Sequence, residues 1–129
     1  YGKHRRDFTY IDDIVEGIIR VLDRPAPPNV DWSGANPDSG SSFAPWRVYN
    51  IGNNDPVELL TFIKAIEKAV GKSAVMELLP LQPGDVPDTY ADVDSLVDEF
   101  NYKPETSIED GIGKFVSWYL DYFGHQKND

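Results

Sequence analysis

The stretch KHRRDFTYIDD, residues 3–13, sets Lys3, His4, Arg5 and Arg6 ahead of a run of aromatic and β-branched residues. Arg6 stands where that run begins. A planar guanidinium fixed at a strand start can bond a phosphate or a carboxylate through two parallel N–H groups. The turn QPGDVPDT, residues 82–89, carries one amide and two carboxylates on a backbone stiffened by two prolines. A carboxylate such as Asp85 suits paired sugar hydroxyls, a charge-assisted hydrogen bond being worth roughly 1.5–3 kcal/mol net. On spacing alone, a capped loop and a solvated arginine account for the same residues and are the simpler explanation.

Other chemistries find no support. No tyrosine is followed four residues later by lysine, and no glycine-rich phosphate fingerprint is present. The two histidines, His4 and His125, lie near opposite ends, which disfavours a Ser–His–Asp arrangement or a two-histidine metal site. DVPDTYADVD is dense in carboxylates but fails the calcium-loop pattern. Val97 falls where glycine is needed and Lys103 where the bidentate glutamate is needed. No metal is expected. Cysteine is absent, which removes disulfides, thiolate zinc and a cysteine nucleophile and fits a cytoplasmic protein. The net charge of −10 argues against nucleic acid, while a few local arginines can still hold a small anion. No apolar run approaches the ~18 residues of a membrane helix.

The 129 residues, 40% of them hydrophobic, suffice for one modest domain. Residues 7–11 read as a strand, and a helix opens at Asp13 with Glu16 as the partner in a capping box. Ile14, Val15, Ile18, Ile19 and Leu22 give that helix one face to bury, and it stops before Pro25. Residues 24–45 form a long loop rich in Pro, Gly, Ser and Asn, a length that usually marks function or an interface. Residues 46–52 read as the next strand. Asp55 as N-cap, Pro56 at the first turn, Glu58 closing a capping box and Gly71 as terminator delimit a second helix with Leu59, Phe62, Ile63, Ile66 and Val70 inward. Residues 74–80 read as a third strand. Asp92 or Asp94 caps a short helix to Phe100, and Thr106 with Glu109 opens a last helix carrying Ile108, Ile112, Phe115, Val116, Tyr119 and Phe123. The tail GHQKND reads as frayed. Short strands alternating with about four helices make an α/β chain with a small mixed sheet, too small to stand alone.

Four segments, RRDFTYIDDIVEGIIRVLD, RVYNIGNNDPVELLTFIKAIEKAVGK, LPLQPGDVPDTYAD and NYKPETSIEDGIGKFVSWY, occur in the order found in nucleotide-sugar epimerases. The chain resembles that group of the extended short-chain dehydrogenase/reductase (SDR) family, whose fold is of Rossmann type, from about residue 3 to residue 123. The loop with DWSGANPDSGSSFAPWRVYNIGN is most like that of bacterial UDP-glucuronate 4-epimerases. The resemblance implies that Arg6 contacts the diphosphate of a UDP-sugar and Asp85 its uridine ribose. Gln82 stands where galactose-type members often have a second phosphate-binding arginine, and Thr89 matches a position near the hexose ring.

The resemblance further implies NAD, with transient oxidation at the sugar C4, rotation of the keto intermediate and hydride return. Its NAD-binding Rossmann half and Tyr-x-x-x-Lys acid/base pair are not in this sequence. The whole chain, 1–129, is therefore expected to be one C-terminal substrate-binding domain of a longer enzyme, inactive alone and cut upstream of Tyr1. Conversion of UDP-glucuronate to UDP-galacturonate for surface polysaccharide is the activity implied for the parent. Alternatives are a nucleotide-sugar dehydratase or decarboxylase, a stand-alone sugar-nucleotide-binding module, or a structural remnant. A homodimer, joined through sheet edges that truncation exposes, is expected.

Overall fold

Two residues of strand organise the chain. In the computed structural model, which describes residues 2–124, β1 (Arg5–Arg6) pairs antiparallel with β2 (Val57–Glu58). Arg5 lies opposite Glu58 and Arg6 opposite Val57. On its other side β1 forms a single parallel bridge from Arg5 to Asp88. Arg5 N–H donates to Pro87 O at 3.0 Å, Thr89 N–H to Arg5 O at 3.2 Å, and Leu59 N–H to His4 O at 2.9 Å. The expected small mixed sheet is thus present in miniature, as an antiparallel pair with one parallel bridge.

The strand positions differ from the sequence reading. Residues 7–10 carry no regular structure, and neither do residues 74–80. Within 46–52 there is only an isolated bridge between Ser41 and Arg47. These segments have β-forming residues, but a ladder needs a second edge, and none lies beside them among the described residues.

Four helices follow in order. They are α1 (Ile11–Leu22), α2 (Leu59–Val70), α3 (Asp94–Phe100) and α4 (Ile108–Tyr122). α1 begins two residues before Asp13, without a side-chain cap. Asp13 is engaged elsewhere, its carboxylate accepting from Thr106 N at 3.0 Å and Thr106 Oγ1 at 2.9 Å. With Thr106 held there, Ser107 caps α4 and accepts from Asp110 N at 3.1 Å. α2 starts later than the Asp55–Pro56 signal, because Val57 and Glu58 are drawn into the ladder with β1. It ends as expected at Gly71, whose φ of 76° is left-handed and whose N–H bonds Glu67 O at 2.8 Å. Asp92 accepts from Asp94 N at 3.1 Å at the head of α3, one residue before the N-cap, Val93.

The core is small. Leu96 and Val93 are 0% and 2% exposed, joined by Phe100, Ile112, Val116 and Pro104. Phe8 stacks on Phe62 with ring centroids 3.8 Å apart, tying the end of β1 to α2. Contrary to the amphipathic reading, α1 buries only Gly17, and Val15, Ile18, Ile19 and Leu22 face outward. Gly17 lies against Ile51 and Tyr102, so the packed side of α1 is its small-residue side. Part of the α4 stripe is open too, with Phe115, Tyr119 and Phe123 exposed. The accessible surface of 9616 Å² exceeds the about 6,900 Å² expected of a compact monomer this size.

The long loop, by contrast, is braced internally. Asn29 N–H donates to Ser42 O and Val48 N–H to Gly40 O, both at 2.8 Å. Asp38 accepts from Gly40 N and Ser41 Oγ, bonds that hold its carboxyl below the usual carboxylate range. Beyond the loop, Tyr49 O–H donates to Glu99 at 2.5 Å, and Arg47 pairs with the same carboxylate at 2.6 Å. Burial, then the bond to Glu99, pushes the Tyr49 phenol up; burial, then the charge of Asp13, raises Tyr102.

Leu96→Ala is expected to cost about 2–5 kcal/mol in urea denaturation, against about 0.5 kcal/mol or less for Val15→Ala on the open face. The folded state holds the Tyr49 and Tyr102 protons more tightly than the unfolded chain does. Their contribution is therefore intact below pH about 10 and lost as pH rises through the folded-state values. A titration of phenolate absorbance should show a late component that Tyr49→Phe reduces.

Candidate functional site

β1 sits between the two segments that carry the polar candidates. Arg6 is half-buried, and its Nη1 donates to Pro87 O and Arg5 O, both at 3.0 Å. These bonds lay the guanidinium along the 87–89 segment, and its Nε and Nη2 make no hydrogen bond among the described residues. Arg5 turns the other way and donates to Pro56 O at 2.9 Å, a bond that steadies β2. Arg5 is therefore structural.

Thr89 is brought beside Arg6. Its N–H closes the bridge to Arg5, and its Oγ1 accepts from Asp7 N at 3.2 Å. One lobe of the hydroxyl is thus committed to the backbone of β1. Gln82 and Asp85 lie together in a turn four residues long, Asp85 N–H donating to Gln82 O at 3.1 Å. Gly84 sits in it at φ 91°, and both side chains are exposed. The four candidates fall in two segments, with Arg6 and Thr89 in direct register and Gln82 with Asp85 on the adjoining turn.

Sequence reasoning passed over Asp7. Its Oδ2 accepts from Ala91 N at 3.0 Å and Asn54 N at 3.1 Å, while Thr9 Oγ1 accepts from Asn53 N at 3.2 Å. One carboxylate thereby ties β1 to two distant segments. Gly52 makes the approach possible: a Cβ there would lie 2.3 Å from Ala91 Cβ and 2.9 Å from Asp7 Oδ2. The available signal was an acid set between Arg6 and Phe8 in an otherwise strand-forming run.

Chemically, the arrangement offers a guanidinium, a hydroxyl, an amide and a carboxylate, which suit binding rather than bond breaking. The residues do not fit NAD. A dinucleotide's pyrophosphate needs a glycine-rich strand-to-helix turn at a helix N-terminus. The β1–α1 connection has no glycine, and β2 runs into α2 without an intervening residue. No hydride step is derived from this chain. A groove of about 450 Å³ between α2 and α4, lined by Phe8, Phe62, Ile108, Ile112 and Phe115, offers no charged group to a phosphate. None of the four helices is long and apolar enough to cross a membrane.

Against known proteins, the model of the family described as GDP-mannose 4,6 dehydratase matches residues 1–115. Protein CapI of Staphylococcus aureus is 58% identical over 95% of this chain and 37% of its own length. UDP-glucuronate 4-epimerase 1 of Arabidopsis thaliana is 41% identical over 96% of this chain and 29% of its own. The chain thus spans about a third of the length of the curated relatives it matches. Among solved structures, UDP-glucuronic acid 4-epimerase from Bacillus cereus, in complex with UDP-glucuronic acid and NAD, aligns with TM-score 0.69 and 29% identity. That alignment covers 94% of this chain and 33% of the other. UDP-glucose 4-epimerase from Bifidobacterium longum, in complex with NAD+ and UDP, gives 0.70 and 28% over 92% of this chain and 31% of the other.

Thr89→Val should leave the Asp7 amide without its acceptor, and Thr89→Ser should restore it. Faster exchange of the Asp7 amide proton in Val but not in Ser is the expected outcome, with a cost of about 1–3 kcal/mol.

Proposed function

The chain belongs to the family described as GDP-mannose 4,6 dehydratase, and from that premise we propose that it is the C-terminal, UDP-sugar-binding part of an NAD-dependent nucleotide-sugar 4-epimerase. The substrate proposed is UDP-glucuronate, taken to UDP-galacturonate. The observation that carries the reading is the placement of Arg6 on Pro87, with Thr89 in register and Asp85 on the adjoining turn. The half-buried guanidinium would meet the diphosphate. Asp85, on a glycine turn flanked by two prolines, would take the ribose hydroxyls. Gln82 would supply an amide where a second cation is absent, and Thr89 would lie toward the hexose.

NAD and the acid/base pair would belong to the remainder of a longer polypeptide, whose placement in the cytoplasm fits a soluble sugar-nucleotide substrate. Alone, the chain would be inactive and would bind UDP at millimolar strength or weaker. A homodimer is part of the proposal. Surfaces open to pairing include the exposed apolar residues of α1 and α4, while the two-residue strands offer only short edges. The family description itself favours a second reading, a nucleotide-sugar dehydratase.

In the full-length protein, Arg6→Ala should weaken UDP binding by about 10- to 100-fold in calorimetry, and Arg6→Lys should recover little of it, because a point charge replaces the fork. Asp85→Ala should act similarly on UDP and little on free pyrophosphate. Incubation with UDP-glucuronate and analysis of the sugar product separates the two readings. A C4 epimer supports the epimerase; a decarboxylated product, or a 4-keto-6-deoxy product from a parallel incubation with a 6-hydroxyl sugar nucleotide such as UDP-glucose, sinks it, because C6 of glucuronate is a carboxylate with no hydroxyl to lose. Micromolar binding of UDP by residues 1–129 alone would favour an independent binding module.

A further inference from the structure

We propose that Asp7 is a positioning residue for the Arg6–Thr89 site, an inference that rests on the proposed UDP-sugar reading. Arg6 owes its place to Pro87 O, and Pro87 owes its place to the way segment 87–91 is held against β1. Among the described residues, backbone bonds fix that segment at Pro87 and Thr89 alone. Beyond them, Asp7 takes Ala91 N–H on Oδ2 and gives its own N–H to Thr89 Oγ1. The same Oδ2 takes Asn54 N–H, where the backbone stands at a left-handed φ of 56°. The carboxylate thus sets the spacing of three segments, two of which frame the guanidinium.

The other carboxylate oxygen takes no part in this hold. Asp7 Oδ1 is buried and meets no hydrogen-bond donor among the described residues, and Asn54 Oδ1 is in the same condition. Buried acceptors without donors are costly, so the positioning rests on Oδ2 and the Asp7 N–H and not on the charge at Oδ1. Asparagine at residue 7 would keep the acceptor for both N–H groups and put a donor in place of Oδ1. Gly52, which no bulkier residue can replace without moving Ala91 or Asp7, belongs to the same device.

The test uses the full-length protein with Asp7→Ala, Asp7→Asn, Gly52→Ala and Arg6→Ala. Asp7→Ala is expected to raise KM for UDP-glucuronate and weaken UDP binding about 10-fold, with kcat within about 3-fold and bound NAD retained. Asp7→Asn should recover most of the affinity. In the Arg6→Ala background, Asp7→Ala should add less than about 2-fold, since its effect passes through Arg6. Amide exchange at Asn54, Thr89 and Ala91 should speed up in Asp7→Ala and not in Asp7→Asn. Where Asp7→Ala fails to fold, Gly52→Ala takes its place and should reproduce the loss of affinity.

Fully additive Asp7 and Arg6 effects, or unchanged UDP affinity in a folded Asp7→Ala or Gly52→Ala protein, overturn the proposal while leaving the UDP-sugar reading standing. A full-length protein that binds no UDP overturns that reading. The exchange rates then decide the positioning claim separately, and unchanged rates in Asp7→Ala reject it.

Discussion

The structure depends on one constraint: a ladder two residues long must hold together segments from the start, the middle and the later part of the chain. β1 meets it by bonding on both edges, to β2 on one side and to Pro87 and Thr89 on the other. Four backbone residues are too few to make a stable sheet. The deficit is made up by side chains acting as backbone partners, with Asp7 and Thr9 capturing amides of residues 53, 54 and 91. Stacking of Phe8 on Phe62 then anchors the same strand to α2. Each residue from 5 to 9 thus carries a contact to a residue at least 44 positions away.

This density explains which parts of the molecule were legible in advance. All four helices were, α1, α2 and α4 from their periodicity and α3 from its aspartate cap, and the stop at Gly71 followed from local chemistry. Helix starts were misplaced by one to three residues, and for α1, α2 and α4 the reason is a competing tertiary partner. Asp13 and Thr106 each satisfy a cap pattern, but they bond to one another, and Pro56 precedes residues claimed by a strand. A local signal loses when a tertiary partner offers a better bond. The strands at 46–52 and 74–80 failed differently: propensity marks a residue that suits a pleated surface, and only a neighbouring edge makes the surface.

The candidate site was half legible. Arg6 and Asp85 stood out by residue type, and Gln82 and Thr89 entered only through resemblance. The packing that joins them was not readable, since it runs through Pro87 O, a backbone group that no side-chain pattern announces. Asp7 was overlooked because an acid beside two arginines looks like charge balance. Its partners are backbone amides, which every sequence has everywhere.

The loop between Asn29 and Val48 has a consequence of its own. Its bonds run almost wholly inward, from Asn29 to Ser41 and Ser42, from Trp32 to Asp38, and from Val48 to Gly40. A segment closed on itself near its base separates the length of its tip from the geometry of its ends. Added residues near Gly34, where an extra Cβ would meet nothing, would cost only the slowly growing entropy of a longer closed loop. The fold therefore contains a place where relatives can differ in length without disturbing β1, and a tag or reporter domain inserted there would leave the rest of the chain in register.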